Sequence, residues 1–206
     1  MRSGPPPGND LFKRVNVREG EGCTVDPHCS LENVTLGDHV TIGEGVQLKN
    51  VVIGERSRLA RRITLYSADP DAPVRIGREC WLGYGIFGEA TGGEIRIGDY
   101  SAIGQYATLI TSSAPGGPGA FSAVLREFFP VRLGPILIGR HCWVGAQSVV
   151  LPNAVLTEGV VIGANSTVPA GDWPAWCVFW GNPIRLVRRL DAAAVEAALR
   201  KHEGAE

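Results

Sequence analysis

The sequence predicts an all-β fold, a parallel β-helix, and two observations carry the prediction. The first is a period of six residues in which an aliphatic residue opens every unit: Ile138, Val144, Val150, Leu156, Ile162 and Val168. The second is a small or β-branched residue four positions after each opener: Cys142, Ser148, Ala154, Val160 and Ser166. A period of six fits neither a helix nor a simple alternating strand. It predicts a short strand followed by a corner, repeated.

Three such units predict a triangular coil of about eighteen residues, with coils stacked at about 4.8 Å, the spacing between paired strands. The aliphatic opener points into the coil. The residue four positions later faces the same interior near a corner, where only a small side chain fits. Glycine after the opener, as at Gly139, Gly145 and Gly163, suits a turn or a close backbone approach. The alternative is an ordinary pair of sandwich strands, and five consecutive units in register argue against it.

The repeat organises the chain into one β-helix domain, residues 15–168, which follows a Pro- and Gly-rich flexible tail at residues 1–14. The pattern is weak near Val15 and clear from Val25. An inserted loop, about residues 111–137, interrupts it. A loop of this length inside a regular solenoid is usually functional, and we expect it to project from one corner and pack on a neighbouring subunit.

The last part of the chain, residues 169–206, predicts a return segment and a short C-terminal helix. Asp191 stands at a capping position before the alanine-rich stretch from Ala192 to Lys201, whose composition favours a helix.

The charge, hydropathy and cysteine content of the sequence argue against nucleic-acid-binding, membrane and metal-binding proteins. The 206 residues carry a formal net charge of −1, so no basic field indicates binding to nucleic acid or to a membrane. No apolar run is long enough to span a bilayer and the start does not read as a signal peptide, so we expect a cytoplasmic protein. Cys29, Cys80 and Cys142 fall on the small inward position, which predicts buried thiols in a reducing compartment. No CxxC pair suggests zinc, and we expect no metal.

Three segments of the chain carry a family resemblance. Residues 138–146, 161–168 and 181–185 read IGRHCWVGA, VIGANSTV and GNPIR. They resemble the hexapeptide-repeat acyltransferases, in particular the sugar O-acetyltransferases and the xenobiotic acetyltransferases, over roughly residues 25–190. The resemblance implies a left-handed parallel β-helix, a homotrimer with active sites in the grooves between subunits, and acetyl-CoA or another acyl-CoA as donor.

The resemblance also implies where the donor lies. The pantetheine arm would follow the coil edge, where small residues let the backbone approach it, and two arginines would meet the coenzyme phosphates. The matching cofactor-binding positions are Trp143, Ala146, Gly163, Ala164, Arg185 and Arg188. The alternative for the two arginines is a solvated face of a terminal segment.

One departure from the family concerns the catalytic base. The family places a histidine in the projecting loop soon after a threonine, and Ala114 stands at that position here. The candidate catalytic residues are therefore His141, Ser112 and Ser113. The serines could hold a substrate by hydrogen bonds, but an unassisted serine is a poor base. His141 could instead be a plain corner residue. Glu89, beside a Gly-rich step, is another possible base that we do not select.

Three functions remain open. The first is an acyl-CoA-dependent acyltransferase acting on a hydroxyl or amine of a sugar or other small metabolite, with acetyl as the expected acyl group. The second is a coenzyme- or metabolite-binding β-helix that has lost or changed the transfer chemistry. The third is a purely structural β-helix. Stabilisation by a coenzyme A species separates the first two from the third, and thiol release on addition of an acceptor separates the first from the second.

Overall fold

The computed structural model describes residues 12–114 and 120–203. Its strands before the projecting loop are β1 (Arg14–Glu19), β2 (Thr24–Val25), β3 (Ser30–Leu36), β4 (Thr41–Ile42), β5 (Gln47–Ile53), β6 (Arg58–Leu59), β7 (Thr64–Ser67), β8 (Val74–Ile76), β9 (Trp81–Leu82), β10 (Phe87–Ala90), β11 (Ile95–Ile97), β12 (Ala102–Ile103) and β13 (Thr108–Ile110). The loop carries β14 (Ser112–Ser113), α1 (Ala120–Phe128) and β15 (Arg132–Leu133). After it come β16 (Ile136–Ile138), β17 (Trp143–Val144), β18 (Val149–Val150), β19 (Ala154–Leu156), β20 (Val161–Ile162), β21 (Thr167–Val168), β22 (Gly171–Trp173), β23 (Cys177–Trp180), β24 (Arg185–Arg189) and α2 (Ala192–Glu203).

Parallel pairing stacks most of these strands into three columns, which form the faces of a triangular prism. Face I contains the first halves of β1, β3 and β5, then β7, β10, β13, β18 and β21. Face II contains the second halves of β1, β3 and β5, then β8, β11, β16, β19 and β22. Face III contains β2, β4, β6, β9, β12, β17, β20 and β23. This architecture is the predicted left-handed parallel β-helix.

The interior follows the six-residue pattern. The aliphatic openers are buried from Leu31 to Val168, and residues such as Ile103, Leu109 and Val144 have no exposed surface. The small positions hold hydroxyls and thiols that bond from one coil to the next: Ser101 Oγ donates to Gly139 O (2.9 Å), and Cys142 Sγ donates to Thr157 O (3.0 Å). All five cysteines are free, and Cys29, Cys80 and Cys142 are buried as predicted. Small polar groups therefore fill the narrow corners, and in the part of the chain that the structure describes no buried side-chain nitrogen or oxygen lacks a hydrogen-bond partner.

The corners of the prism require left-handed backbone conformations. At the corner between faces II and III, Tyr100 and His141 have φ of 59° and 57°, which residues with a Cβ seldom adopt. Backbone hydrogen bonds between coils hold them there: Tyr100 N donates to Arg78 O (2.9 Å), and His141 N donates to Asp99 O (3.0 Å). Each coil thus fixes the corner of the next one.

The coil extends past the predicted boundary at Val168. The strands β22 and β23 pair in parallel with β19 and β20, so another turn follows the last six-residue unit. A proline-containing step changes the spacing there, but Trp173 packs edge-on against Phe179 at 4.8 Å and fills the interior. The strand β24 then runs antiparallel along β23 and covers that edge of the sheet.

The chain ends of the structure agree in part with expectation. The predicted tail lies mostly outside the described residues, and Arg14 already belongs to β1 in the first coil. At the other end, Asp191 caps α2, because its Oδ1 accepts a hydrogen bond from Ala194 N (3.1 Å). Within the described ranges, neither helix combines the length and apolar character that a bilayer crossing requires.

Candidate functional site

The corner between faces I and II carries the longest departures from the repeat. In the early coils an asparagine ladder holds it: Asn33 Nδ2 donates to Asn50 Oδ1 (2.9 Å), and Asn50 Nδ2 donates to Ser67 O (2.8 Å). Above Ser67 the ladder ends. The excursion after β7, the Gly-rich step after β10 and the projecting loop after β13 all leave from this corner. The irregular segments are therefore gathered along one edge of the prism.

The projecting loop begins with a short stem fixed to the coil beneath it. In the stem β14 pairs antiparallel with β15, so that Ser112 lies opposite Leu133. Thr111 is fully buried; its Oγ1 donates to Glu89 O (2.9 Å) and accepts from Gly92 N (3.0 Å). A Cβ on Gly92 would lie 2.4 Å from Thr111 O, so only glycine permits this approach. The Gly-rich step therefore packs directly against the first residue of the loop.

Glu89 is a buried carboxylate at the base of that stem. It occupies an outward position of β10 on face I, yet the stem leaves only 6% of it exposed. Its Oε1 accepts from Ser112 N (3.0 Å), and its Oε2 accepts from Thr91 Oγ1. None of the ion pairs among the residues that the structure describes includes Glu89. A buried carboxylate with two neutral donors and no cation retains capacity for a charged or hydrogen-bonding ligand.

Two aromatic rings stand beside this carboxylate on face I. Tyr66 lies directly opposite Glu89 on the neighbouring strand β7, and Phe87 lies two residues earlier on β10, on the same face. The two rings meet edge-on, with centroids 6.1 Å apart. Burial raises the pKa of Tyr66, and the negative charge of Glu89 raises it further. Phe87 keeps 39% of its surface exposed, so the aromatic surface is open to a ligand.

The predicted pantetheine positions lie at the other edge of face I, the corner between faces III and I. Ala146, Gly163 and Ala164 follow β17 and β20 there. A Cβ on Gly163 would lie 2.7 Å from Trp180 Cδ1, and Trp180 Nε1 donates to Ala164 O (3.1 Å). The space left by Gly163 is therefore occupied by the Trp180 ring, which covers this corner. Face I spans the distance from this corner to the loop stem.

The other predicted cofactor residues lie on face III. Trp143 points outward between Ala102 and Val161 and is 55% exposed. Arg185 lies opposite Trp180 in the β23–β24 pairing, and Arg188 is also exposed on β24. The ion pairs of the described residues include neither arginine. Two guanidinium groups are thus available beside the tryptophan that covers Ala164.

His141 lies away from these groups. It occupies the corner between faces II and III, which is opposite face I in the triangle. Its ring stacks on Tyr100 at 5.1 Å with an interplanar angle of 5°, and Trp176 lies 6.4 Å away on its other side. Within one chain the structure does not bring His141 together with Ser112 and Ser113. This placement favours the corner-residue interpretation of His141.

Several residues of the site carry little signal in the sequence. The sequence shows that Glu89 lies beside a Gly-rich step, but the neighbouring residues do not indicate that the loop stem buries its side chain. Tyr66, Thr91 and Thr111 occupy ordinary outward or corner positions of the repeat. Trp180 lies beyond the last six-residue unit, so the pattern does not show that it covers Gly163. The described residues contain no group of three or more His, Cys, Asp or Glu placed to hold a metal ion.

The part of the chain that matches a known family model lies within the six-residue repeat. Residues 135–170 match the family model described as "Bacterial transferase hexapeptide (six repeats)". The chain is 33% identical over 115 residues to the putative colanic acid biosynthesis acetyltransferase WcaF of Escherichia coli (strain K12), covering 56% of this chain and 58% of that protein. It is 30% identical over 106 residues to the dTDP-4-amino-4,6-dideoxy-D-glucose acyltransferase of Escherichia coli, covering 50% and 55%. The chain thus spans little more than half the length of these curated relatives.

A solved structure supports the fold. The crystal structure of AntD, an N-acyltransferase from Bacillus cereus in complex with dTDP and 3-hydroxybutyryl-CoA, superposes with a TM-score of 0.63. The superposition covers 92% of this chain and 91% of AntD at 20% sequence identity, which establishes a shared architecture. The protein therefore has the left-handed β-helix fold, contains a hexapeptide repeat that matches the family model over residues 135–170, and is similar in sequence to acetyltransferases and acyltransferases over about half of its length.

Proposed function

We propose that the protein is an acyl-CoA-dependent acyltransferase that acts on a hydroxyl or amine of a sugar or other small metabolite, with acetyl-CoA as the first donor to test. The observation that carries the proposal is the arrangement of face I. One of its edges holds the small residues expected to line the pantetheine arm, and the other holds a loop stem with a buried carboxylate. The similarity to an acetyltransferase and to a sugar-nucleotide acyltransferase supports the same class.

The donor needs binding more than chemical activation, because the thioester already carries an activated acyl group. We expect the pantetheine arm to run beside Ala146 and Ala164 at this corner, where small side chains let it approach the backbone. Arg185 and Arg188 lie close along the chain to Trp180, which covers that corner, and their side chains are exposed. Guanidinium groups suit bidentate contact with the phosphates of coenzyme A. We place the donor along this corner, with its phosphates toward β24.

A second copy of the chain would complete the site. The loop presents apolar side chains to solvent: Phe121 is 74% exposed, Phe128 is 72% exposed and Phe129 is 61% exposed. Three exposed aromatic side chains within one short loop are typical of an interaction site. We propose a homotrimer in which the loop of one subunit packs on the next, because closed cyclic symmetry buries the same patch on every copy. The five free thiols fit a cytoplasmic location.

The proposal is tested by donor binding and by transfer. Acetyl-CoA should raise the melting temperature, and free thiol should appear when an acceptor from a panel of sugars and amino sugars is added. The double variant Arg185→Ala/Arg188→Ala should weaken coenzyme A binding by about tenfold or more, the factor of a charge-assisted hydrogen bond. The control variant Arg58→Ala removes an exposed arginine from the same face, far from β24, and should bind as the wild type does.

One observation favours a second function. Ala114 stands where the family's loop histidine is expected, and Ser113 beside it is exposed. The second candidate is therefore a coenzyme-binding β-helix without transfer chemistry. Thermal stabilisation by coenzyme A together with no thiol release across the panel would establish it. No stabilisation by any coenzyme A species would leave only a structural role.

A further inference from the structure

We propose that Glu89 binds the protonated amine of the acceptor and takes its proton, so that the acceptor is an amino sugar or a similar small ring amine. This inference rests on the acyltransferase function proposed above and specifies its substrate class. It also assigns the proton acceptor that the missing loop histidine leaves open.

The electrostatic argument starts from the burial of Glu89. A carboxylate that is 94% buried is costly unless it is paired or well hydrogen-bonded. Glu89 receives one backbone donor, from Ser112 N, and one hydroxyl donor, from Thr91. A carboxylate offers about four acceptor sites, so two donors leave further positions on its oxygens. A substrate ammonium supplies the cation that the described ion pairs do not.

The contrast with another glutamate in the same column supports this reading. Glu32 is also an outward residue of face I, three strands earlier in the same register. It pairs with Lys49 at 2.9 Å, and both side chains are about half exposed. On the ordinary part of the face, the protein therefore supplies its own cation to an outward carboxylate. At Glu89 the loop stem covers the carboxylate, and the two hydrogen bonds that reach it come from neutral groups, Ser112 N and Thr91 Oγ1.

The surroundings of Glu89 indicate that the acceptor is a ring compound rather than a flexible chain. Tyr66 and Phe87 form a continuous edge-on aromatic pair next to the carboxylate. Ligand sites commonly combine an apolar or aromatic wall with a few placed polar groups. The less polar face of a sugar ring can lie on this wall while its amine reaches Glu89. Ser112 and Ser113, at the start of the stem, are placed to bond ring hydroxyls.

The reaction balances without another reactant. The ammonium gives one proton to the Glu89 carboxylate and becomes a neutral amine. The nitrogen lone pair forms a C–N bond with the thioester carbonyl carbon, and the C–S bond breaks with its electron pair on sulfur. The second proton from nitrogen passes to that sulfur, so the products are an amide and the thiol of coenzyme A. The proton on Glu89 returns to solvent when the amide leaves.

The experiment uses the full-length protein and two acceptors that differ in one group. The first is dTDP-4-amino-4,6-dideoxy-D-glucose, and the second is the same molecule with a hydroxyl in place of the amine. Acceptor binding is measured by calorimetry without donor, and transfer is measured by thiol release from acetyl-CoA. The variants are Glu89→Gln, which keeps the shape of the side chain and removes the charge, and the control Glu32→Gln. Where this acceptor does not bind, D-glucosamine and D-glucose replace the pair.

The expected results separate this inference from the general function. In the wild type the amine should bind at least about tenfold more tightly than its hydroxyl counterpart, the factor of one charge-assisted hydrogen bond. Glu89→Gln should abolish that preference and lower kcat by about 100-fold or more, the contribution typical of a positioned base. Its stabilisation by coenzyme A should be unchanged, and Glu32→Gln should match the wild type throughout.

Other outcomes overturn the inference in identifiable ways. Thiol release with hydroxyl acceptors at least as fast as with amines would leave the acyltransferase function standing and remove the amine role of Glu89. A Glu89→Gln variant with the kcat of the wild type would do the same. If Glu89→Gln fails to fold, the comparison of amine and hydroxyl in the wild type still decides the point. Equal binding of amine and hydroxyl acceptors would refute the role even in a protein that transfers nothing.

Discussion

Replacing Gly145 by alanine tests the claim that close stacking of the coils, rather than backbone conformation, requires glycine at the corner between faces III and I. An ideal Cβ at Gly145 would lie 2.4 Å from Ala164 N and 2.7 Å from the carbonyl carbon of Gly163. Ordinary contacts of a Cβ begin at 3.4 Å. The opposing atoms belong to the backbone of the next coil, so no side chain can turn away. The two coils must separate locally by about 1 Å.

That separation has a predictable cost. Gly145 N donates to Ile162 O at 2.7 Å, and Asn165 N donates to Ala146 O at 2.8 Å, both across the same coil contact. A lengthening of about 1 Å takes both bonds beyond the normal range. A lost bond costs about 1–3 kcal/mol when its donor is buried, as at Gly145, and about 0.5–1.5 kcal/mol when it is exposed, as at Asn165. Gly145→Ala should therefore lower the free energy of unfolding by about 1.5–4.5 kcal/mol. The melting temperature should fall by roughly 3–18 °C for a chain of this size.

A second glycine at the same corner is the control. Gly45 has φ of 70°, and a Cβ there would meet its nearest atom, Arg62 Cγ, at 3.4 Å. Gly45→Ala introduces only the left-handed conformation of a residue with a Cβ, at a cost of about 1 kcal/mol. Both variants are compared with the wild type by scanning calorimetry. A larger fall in melting temperature for Gly45→Ala than for Gly145→Ala would refute the stacking argument.

Two further predictions concern the thiols and the loop. Burial raises the pKa of the Cys80 and Cys142 thiols from the ordinary 9.0 to about 11, so their contribution to stability is complete below pH 9 and is lost as the pH rises toward 11. Melting curves between pH 8 and 11 should show this decline. Cys142→Ser should reduce it, and an unchanged decline in that variant would assign it to other groups. The double variant Phe121→Ser/Phe128→Ser should convert the proposed trimer to a monomer in light scattering, whereas the exposed Val187→Ser should not. A trimer that persists in the double variant would exclude the loop from the interface.

The fold was predictable because its signal is local. The six-residue period places an aliphatic residue inward on every unit, and burial follows it from Leu31 to Val168 without exception among the openers named above. The thiols at Cys29, Cys80 and Cys142 were assigned to the interior by the same rule. The end of the coil was harder to predict, because Trp173 and Phe179 fill the last turn outside the six-residue spacing.

The candidate site was predictable only in part, because it depends on contacts between residues distant in the chain. The sequence placed Ser112 and Ser113 at the start of a projecting loop and small residues at a coil edge. From the sequence, Glu89 is one possible base that is not preferred, and His141 is a candidate base. The structure puts His141 in an aromatic stack with Tyr100, at the corner opposite face I.

By itself, the sequence determined the coil, its inward residues and the position of the loop. Each six-residue unit carries the same pattern of inward residues and corner, so the geometry can be predicted from any short stretch of the repeat. Only the tertiary structure decided which outward residue becomes a buried acid. Thr91, two residues after Glu89, is a local donor to its carboxylate, but Ser112 reaches it only because a full turn of the prism brings the loop stem back onto β10. The burial of Glu89 therefore depends on a contact between residues distant in the chain.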